Sequence, residues 1–439
     1  MPEAEHRPEF DTIFAPATGT GKAAIAIIRI SGPFAYGAVQ RLAGPLPPFR
    51  ELALRTLRDT EGEALDQGMV AIFPHGASYT GEEMAEIHCH GSQAVLSDII
   101  DQLSAMPEMR MAEPGEFTRR ALMAGRLDLS EAEGLHALLE AETREQRRQA
   151  LRIQSGAVSE RSSEWSELLL QARALVEVAI DFADEEVPDD TLADASELVE
   201  QARADMEAEL SRALPAERLR NGFEVAIIGP PNVGKSSLLN ALAGREVALV
   251  TEIAGTTRDI LEVRTDLGGL PVVFLDMAGL RESEDRVEAL GVARAEARGA
   301  AADLRVFLSA PDVAPLNRPV ERQDDDIEIW SKCDLEPRPG MLNVSAVGDT
   351  GISELMEMIR TRLMSRVAEM GILAIERQRL AVESARDGLK RCRASLKAGL
   401  PEIAGEELRS AMSDLDRLIG RFGTEDVLDK IFAGFCLGK

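Results

Sequence analysis

The chain reads as a multidomain α/β and α protein: an N-terminal α+β domain, a discontinuous helical domain, and a P-loop α/β domain inserted into the helical one. Three observations predict this. The apolar run FEVAII (223–228) leads without a break into GPPNVGKSS and then into LLNALAG, which is a strand, a glycine-rich loop and a helix in succession. Apolar residues recur at helical spacing both before and after that region. The first part of the chain instead mixes short β-rich runs with Gly and Pro punctuation. A chain of 439 residues, 45% of them hydrophobic, has material for about three cores at ~150 residues each.

Taken in order, residues 1–118 contain AAIAIIRI and MAEIHCHG, broken by GPLPP and AEPGEF, with one helical stretch near 92 to 105; this predicts the α+β domain. Residues 119–215 are helical in texture, interrupted mainly by DFADEEVPDD, and the same texture returns over 366–439, so the two stretches form one helical domain. Residues 216–365 between them alternate strand, loop, helix, hairpin, helix, strand, strand, helix, as a parallel α/β sheet requires.

Composition narrows the function classes. With 76 acidic against 49 basic residues the net charge is −27, which argues against broad electrostatic binding of nucleic acid, so an RNA partner needs a local basic patch. Aromatic residues make up only 4%, too few for a base-stacking platform. The opening MPEAEHRPEF lacks a basic start with an apolar core, and no apolar run reaches the ~18 residues of a membrane span, so a cytoplasmic protein without a membrane partner is expected. Cys89, Cys333, Cys392 and Cys436 lie far apart with no CxxC and read as reduced thiols.

GPPNVGKSS matches G-x-x-x-x-G-K-[ST]. Gly229 and Gly234 let the loop wrap a phosphate, and the amides of Val233 to Ser237, preceded by Asn232 as a further nucleotide contact, point at it from a helix N-terminus. Lys235 is then the β,γ-phosphate contact and Ser236 a Mg²⁺ ligand. The run VVFL ends in Asp276, a carboxylate at a strand's carboxyl end and a magnesium partner in the second shell, followed by Met277, Ala278 and Gly279, the γ-phosphate sensor. In SKCD, Ser331, Lys332, Cys333 and Asp334 follow the strand-like DIEIW. Asp334 can accept from guanine N1–H and the 2-amino group, and Lys332 can lie against the base. NVSA offers the Ala346 amide to guanine O6, flanked by Ser345 and Val347. The guanine motif begins with Ser331 where Asn is usual, and DMAG stands where DTAG is usual.

TEIAGTTRDI (251–260) takes the place of a first switch, with Thr257 as a Mg²⁺ ligand. Leu280 cannot orient a water, and no arginine of that segment is poised by its position as a finger, with Arg258 kept open. Positioning and positive charge must therefore come from elsewhere. In MAEIHCHG a period of two puts Glu86, His88 and His90 on one face, and Ile87 and Cys89 on the other; a polar strand face accounts for the histidines better than a metal pair. Arg144, Arg148 and Arg152 share a helix face, with Arg147 beside them, suited to RNA phosphate, to a partner protein or, most commonly, to solvated ion pairs.

The whole set resembles the MnmE (TrmE) family of tRNA-modification GTPases, and the resemblance covers essentially the entire chain: DTIFAPATGTGKAAIAIIRISGP, SYTGEEMAEIHCHGS, PGEFTRRALMAGRLDLSEAE, VEVAIDFADEEVP and the terminal FCLGK all take part. It implies a Ras-like G domain and an N-terminal domain that binds tetrahydrofolate and forms the homodimer. Potassium would be held by Asn232, Thr251, Ile253 and Thr256, in place of an arginine finger, with Glu252, Ala254 and Gly255 beside the nucleotide in the same segment. Glu288 would orient the water; on the residues alone it is one of several solvated acids at a helix start. Folate, as the 5-formyl or 5,10-methylene form, would meet Arg29, Glu86, Arg126 and Lys439. Arg126 replaces a more frequent lysine, and GTGKAAI replaces a PPGRGG-like run. Cys436 is either a nucleophile or acid near the folate or an inert thiol. The implied partners are tRNA and the flavoprotein MnmG with its FAD, in a heterotetramer that builds an aminomethyl or carboxymethylaminomethyl group at C5 of the wobble uridine (U34). A GTP-dependent switch in ribosome assembly, without chemistry on RNA, and a folate-dependent methyltransferase with a regulatory G domain are the competing readings.

Overall fold

The computed structural model describes residues 11–19, 21–181, 190–244, 262–276, 297–314, 320–421 and 425–439. They form two compact units, Met1–His136 with Ile419–Lys439, and Ala137–Leu418.

In the first unit β1 (Thr12–Pro16), β2 (Ile25–Ser31), α1 (Ala35–Ala43), β3 (Ala53–Arg58), β4 (Ala64–Phe73), β5 (Met84–His90), α2 (Gln93–Ser104), β6 (Met109–Met111) and α3 (Glu116–Met123) precede α4 (Leu129–Glu140). The sheet order is β3-β4-β5-β2-β1-β6, antiparallel except for the β1–β6 pair. Alternation builds it: Ile28 and Ile30 of β2, and Ile87 and Cys89 of β5, point into a core shared with Val39 and Leu42 of α1 and Ile99 and Leu103 of α2. Helix α2 starts where Ser92 accepts from the Val95 amide at 3.2 Å. Helix α1 adds to the one helix expected before residue 118. Its nine residues include Gly37, Tyr36 and Val39, poor helix formers whose helicity rests on burying Ala35, Ala38, Val39 and Leu42. The C-terminal helix Glu425–Phe432 belongs to this unit, where Phe432 and Phe435 pack with Leu129 and Ala132.

The second unit begins with α5 (Arg144–Gln154), α6 (Ala157–Asp181), α7 (Thr191–Ser211) and α8 (Ala213–Asn221), and ends with α11 (Glu376–Lys397) and α12 (Pro401–Ile419). In α6 the buried positions Val158, Ser162, Trp165, Leu169, Ala172 and Val176 alternate steps of four and three. Ala195, Val199, Ala202, Met206 and Glu209 do the same in α7, as do Gln378, Val382, Ala385, Leu389, Cys392 and Leu396 in α11. Such seams pack as near-parallel helices. Trp165 is buried at their centre, its indole N–H donating to Asp205 Oδ2 at 2.7 Å.

Between these helices lie β7 (Phe223–Ile228), α9 (Lys235–Ala243), β8 (Glu262–Leu267), β9 (Leu270–Asp276), β10 (Leu304–Ser309), β11 (Ile327–Ser331), β12 (Leu342–Val344) and α10 (Ile352–Val367). Their sheet runs β12-β11-β10-β7-β9-β8, parallel except for β8, which forms the expected hairpin with β9. Strand β12 is additional; three residues are too few to show a period. The near-continuous apolar runs of β7, β9 and β10 reflect burial on both faces. Among the described residues no helix is long and apolar enough to cross a membrane.

Candidate functional site

The carboxyl ends of β7, β9 and β11 converge on the loop that follows β7. A Cβ on Gly229 would stand 2.9 Å from Val233 Cγ1 and 3.0 Å from the Leu308 carbonyl, so only glycine lets the chain leave β7 this way. Asn232 (φ 62°) and Gly234 (φ 105°) are left-handed and curl the loop into α9, while Val233 is fully buried and anchors it. Lys235 is buried, its Nζ donating to the Gly229 carbonyl at 2.8 Å and the Pro230 carbonyl at 3.0 Å. Burial pushes this ammonium below the usual lysine range, against the opposing pull of Asp276. A buried cation whose hydrogen bonds among the described residues go to loop carbonyls suits an anion laid across the same loop. Ser236 Oγ donates to Asp276 Oδ2 at 3.0 Å, a pairing made possible by the β7–β9 register that sets Ile227 beside Asp276. A hydroxyl and a carboxylate so joined fit a magnesium ion, with Ser236 as direct ligand and Asp276 behind it. Ser237 is exposed beside them. Thr251, Glu252, Ile253, Ala254, Gly255, Thr256, Thr257, Met277, Ala278, Gly279 and Glu288 lie outside the described residues.

The segments expected to read the base meet the same end of the sheet. Ser331 closes β11 with its Oγ only 3.0 Å from where a Cβ on Gly234 would stand, which joins SKCD to the phosphate loop. Lys332 turns left-handed (φ 55°), and its Nζ meets Asp312 Oδ2 at 2.6 Å. Asp312 carries no signal in the sequence. The Cys333 amide donates to the Val344 carbonyl at 3.3 Å, tying the segment to β12. Asp334 is exposed and accepts from Ser345 Oγ at 2.5 Å; Ser345, itself buried, also accepts from the Gly348 amide. One hydroxyl thus fixes the carboxylate that would read guanine, next to a half-buried Ala346 and an exposed Val347. Asp334→Asn turns one acceptor into a donor. GTP affinity is expected to fall roughly 100-fold and XTP affinity to rise, because xanthine carries an oxygen where guanine carries its 2-amino group. Competition of both nucleotides against a fluorescent GDP checks this, and an unchanged preference for GTP would rule out Asp334 as the reader.

A second constellation lies in the first unit. Arg29 on β2 stands opposite Glu86 on β5, its Nε 3.2 Å and Nη2 3.1 Å from one oxygen, Glu86 Oε1. Arg29 Nη1 donates to the Gly438 carbonyl at 3.3 Å, and its guanidinium lies over the rings of Tyr79 (5.3 Å) and Phe117 (5.8 Å). Lys439 Nζ lies 5.9 Å from the Tyr79 ring centre; burial, then the Arg29 charge, push its ammonium down against Glu86 and Cys436. Gly438 is seated so closely that a Cβ would come within 2.4 Å of Ala17 Cα and the Pro16 carbonyl. Cys436 is exposed, and its carbonyl accepts from Gly115 and Lys439. Arg126 stands apart: exposed, it donates to the Gly76 carbonyl at 3.0 Å on the loop that also carries Tyr79, and none of its bonds reaches Arg29 or Glu86. Sequence reasoning passed over Tyr79, although a tyrosine in a chain with two of them was a usable signal. A carboxylate, two cations and an aromatic face fit a flat, amidine-edged anionic ring system such as a folate.

The β5 face follows its period. Ile87 and Cys89 are buried, His88 meets Glu86 at 3.4 Å, and His90 meets Asp66 at 2.7 Å. The two histidines turn to different carboxylates, and the described residues hold no cluster of three metal-ligand side chains. On α5, Arg148 pairs with Glu145 at 2.6 Å, in keeping with a solvated ion-pair face.

Known proteins are similar to this chain over nearly its whole length. A model of the MnmE helical domain matches residues 129–436, and one of the GTP-binding protein TrmE N-terminus matches residues 12–126. Proteins named tRNA modification GTPase MnmE from Cereibacter sphaeroides and Ruegeria pomeroyi are each 50% identical to this chain, over 98% of its length and 100% of theirs. One of the same name from Beijerinckia indica is 46% identical over 99% of this chain and 97% of its own.

Proposed function

Since this chain belongs to the MnmE family of tRNA modification GTPases, and is thus a GTP hydrolase that takes part in tRNA modification, we propose that it couples potassium-dependent GTP hydrolysis to one-carbon chemistry at the wobble uridine. In this reading a homodimer works in the cytoplasm with the flavoprotein MnmG, which brings FAD, as a heterotetramer on tRNA. It installs an aminomethyl or carboxymethylaminomethyl group at C5 of U34 from a tetrahydrofolate one-carbon unit. Residues 1–118 are the folate and dimer domain, 216–365 the G domain, and 119–215 with 366–439 the helical domain.

The observation that supports this reading is the cluster of Arg29, Glu86, Tyr79 and the docked Lys439. A GTP-dependent switch acting only in ribosome assembly has no use for it. In the G domain, Lys235 gives up its carbonyl partners to hold β- and γ-phosphate oxygens, and the loop amides from Val233 to Ser237 hold the remainder. Ser236 and Thr257 would ligate magnesium, with Asp276 behind Ser236; a bound ion would supply positive charge beside the phosphates. Asn232, Thr251, Ile253 and Thr256 hold potassium, and Glu288 orients the water. Asp334, fixed by Ser345, selects guanine.

Two measurements test the proposal. Glu288→Ala is expected to keep GTP affinity within a few-fold while turnover falls roughly 100-fold, and sodium in place of potassium should lower the wild-type rate. Equal turnover in both comparisons removes the hydrolysis mechanism. Mass analysis of wobble uridines from a strain lacking the protein should show loss of the C5 substituent; intact U34 modification there favours the ribosomal switch instead.

A further inference from the structure

Helix α5 inverts the charge of the chain locally. Its 11 residues carry four arginines and one glutamate, and no acid occurs from Gln146 to Ser159, in a chain with 76 acidic and 49 basic residues. The helix is firmly held on its inner side. Thr143 and Gln146 close a capping box at its start, and Ala150 and Ile153 are buried. Gln146 Nε2 donates to the Arg220 carbonyl at 2.9 Å, and Gln149 Nε2 to the Ala216 carbonyl at 3.2 Å. Arg144, Arg147, Arg148, Leu151 and Arg152 are left exposed. Arg148 has Glu145 as its partner at 2.6 Å, whereas Arg144, Arg147 and Arg152 make no ion pair or side-chain hydrogen bond among the described residues. Neighbouring helices differ: Arg161 meets Asp205, Arg203 meets Glu200, Arg379 meets Glu217 and Arg386 meets Glu207. A solvated face built of ion pairs would look like those helices and not like α5.

We propose that this face binds the phosphate backbone of tRNA. The inference rests on the proposed function, in which RNA is the molecule modified, and adds to it a surface on this chain. Residues four apart on a helix face are separated by about 6 Å along the axis, close to the step between successive phosphates of one strand. Arg144, Arg148 and Arg152 therefore follow a strand, with Arg147 reaching it from the flank. A guanidinium gives two parallel hydrogen bonds to phosphate oxygens and is weakly hydrated, which keeps the cost of contact low. No aromatic ring is present on α5 to stack a base, so contact is to the backbone and independent of base sequence. Net charge makes the location decisive: a polyanion is repelled by most of a chain at −27 and admitted where unpaired cations gather. An acidic protein would meet the same charges, but protein interfaces also bury an apolar centre, and Leu151 is the only apolar side chain exposed on α5.

The test is fluorescence anisotropy of a labelled, unmodified tRNA transcript titrated with the full-length protein saturated with GDP, at several salt concentrations. The joint change Arg144→Gln, Arg147→Gln and Arg152→Gln should weaken binding about 20-fold and flatten the slope of log affinity against log salt by roughly two. Thermal midpoint and GTP turnover should stay as they are, because these side chains hold no other group. Removing the same charge at Arg173, Arg409 and Arg417, surface arginines each paired with an acid one turn away, should leave affinity within about twofold. Equal weakening in both triple variants reduces the effect to net charge and overturns the face. Wild-type affinity in the α5 variant, or no binding by the wild-type protein, overturns it as well. Loss of MnmG binding in the α5 variant, with tRNA affinity kept, gives the surface to an acidic protein instead. None of these failures touches the proposed function, which stands or falls on the wobble-uridine analysis wherever RNA is held.

Discussion

Lys235→Ala is expected to lower GTP hydrolysis by roughly 100- to 1,000-fold, the loss typical of removing a charge aimed at a transition state. The Lys235 ammonium is buried and held by the carbonyls of Gly229 and Pro230, partners that the proposed mechanism has it exchange for phosphate oxygens. Alanine leaves those carbonyls beside an open loop where water replaces the lysine, so the fold should survive while binding and turnover both fall. Burial already pushes this ammonium below the usual lysine range. An anion favours the protonated form, so nucleotide binding takes up a proton once the pH passes that lowered range. Affinity should accordingly fall as the pH rises through it, and the alanine variant should lack this dependence. Phosphate release and fluorescent-GDP titration across pH measure both effects. Turnover within threefold of wild type would place the catalytic charge elsewhere.

The strand, loop and helix of the candidate phosphate site were legible because their information is contiguous: one strand, two glycines and a lysine within thirteen residues. Helical segments were legible for a related reason, since seams such as Val158, Ser162, Trp165 and Leu169 repeat along a single helix. What escaped depends on residues far apart in the chain. Ser331 approaches Gly234 only because β11, β10 and β7 lie side by side, and the closeness of Gly438 to Ala17 depends on where the tail docks. Helix α1 has weak intrinsic propensity and exists through burial against the sheet. Arg144, Arg147 and Arg152 read as solvated ion pairs, because a missing partner is a property of packing and not of residue type. The ion pair of Lys332 with Asp312 likewise joins two loops that only the parallel sheet brings together.

Glu86→Ala and Arg29→Ala separate two roles that one ion pair combines. In Glu86→Ala the guanidinium of Arg29 keeps the Gly438 carbonyl and the faces of Tyr79 and Phe117, so the tail should stay docked. Binding of 5-formyltetrahydrofolate should nevertheless weaken about 100-fold, the usual loss when a charged acceptor for paired N–H groups is removed. Arg29→Ala is the more damaging change. It leaves Glu86, 16% exposed, without its cation, and also frees Gly438 and with it Lys439. Breaking a fully buried pair costs about 3–5 kcal/mol, and the partial exposure here reduces that to about 2 kcal/mol for the first unit. Calorimetry of folate binding beside thermal unfolding distinguishes the cases. Glu86→Ala should lose ligand with a smaller loss of stability than Arg29→Ala, because Arg29 keeps the Gly438 carbonyl and two ring faces. Arg29→Ala should lose both, and GDP affinity should hold in each. Full folate affinity in Glu86→Ala, or none in the wild-type dimer, would leave the pair as a structural clasp for the C-terminus and remove the pterin pocket from the proposed function.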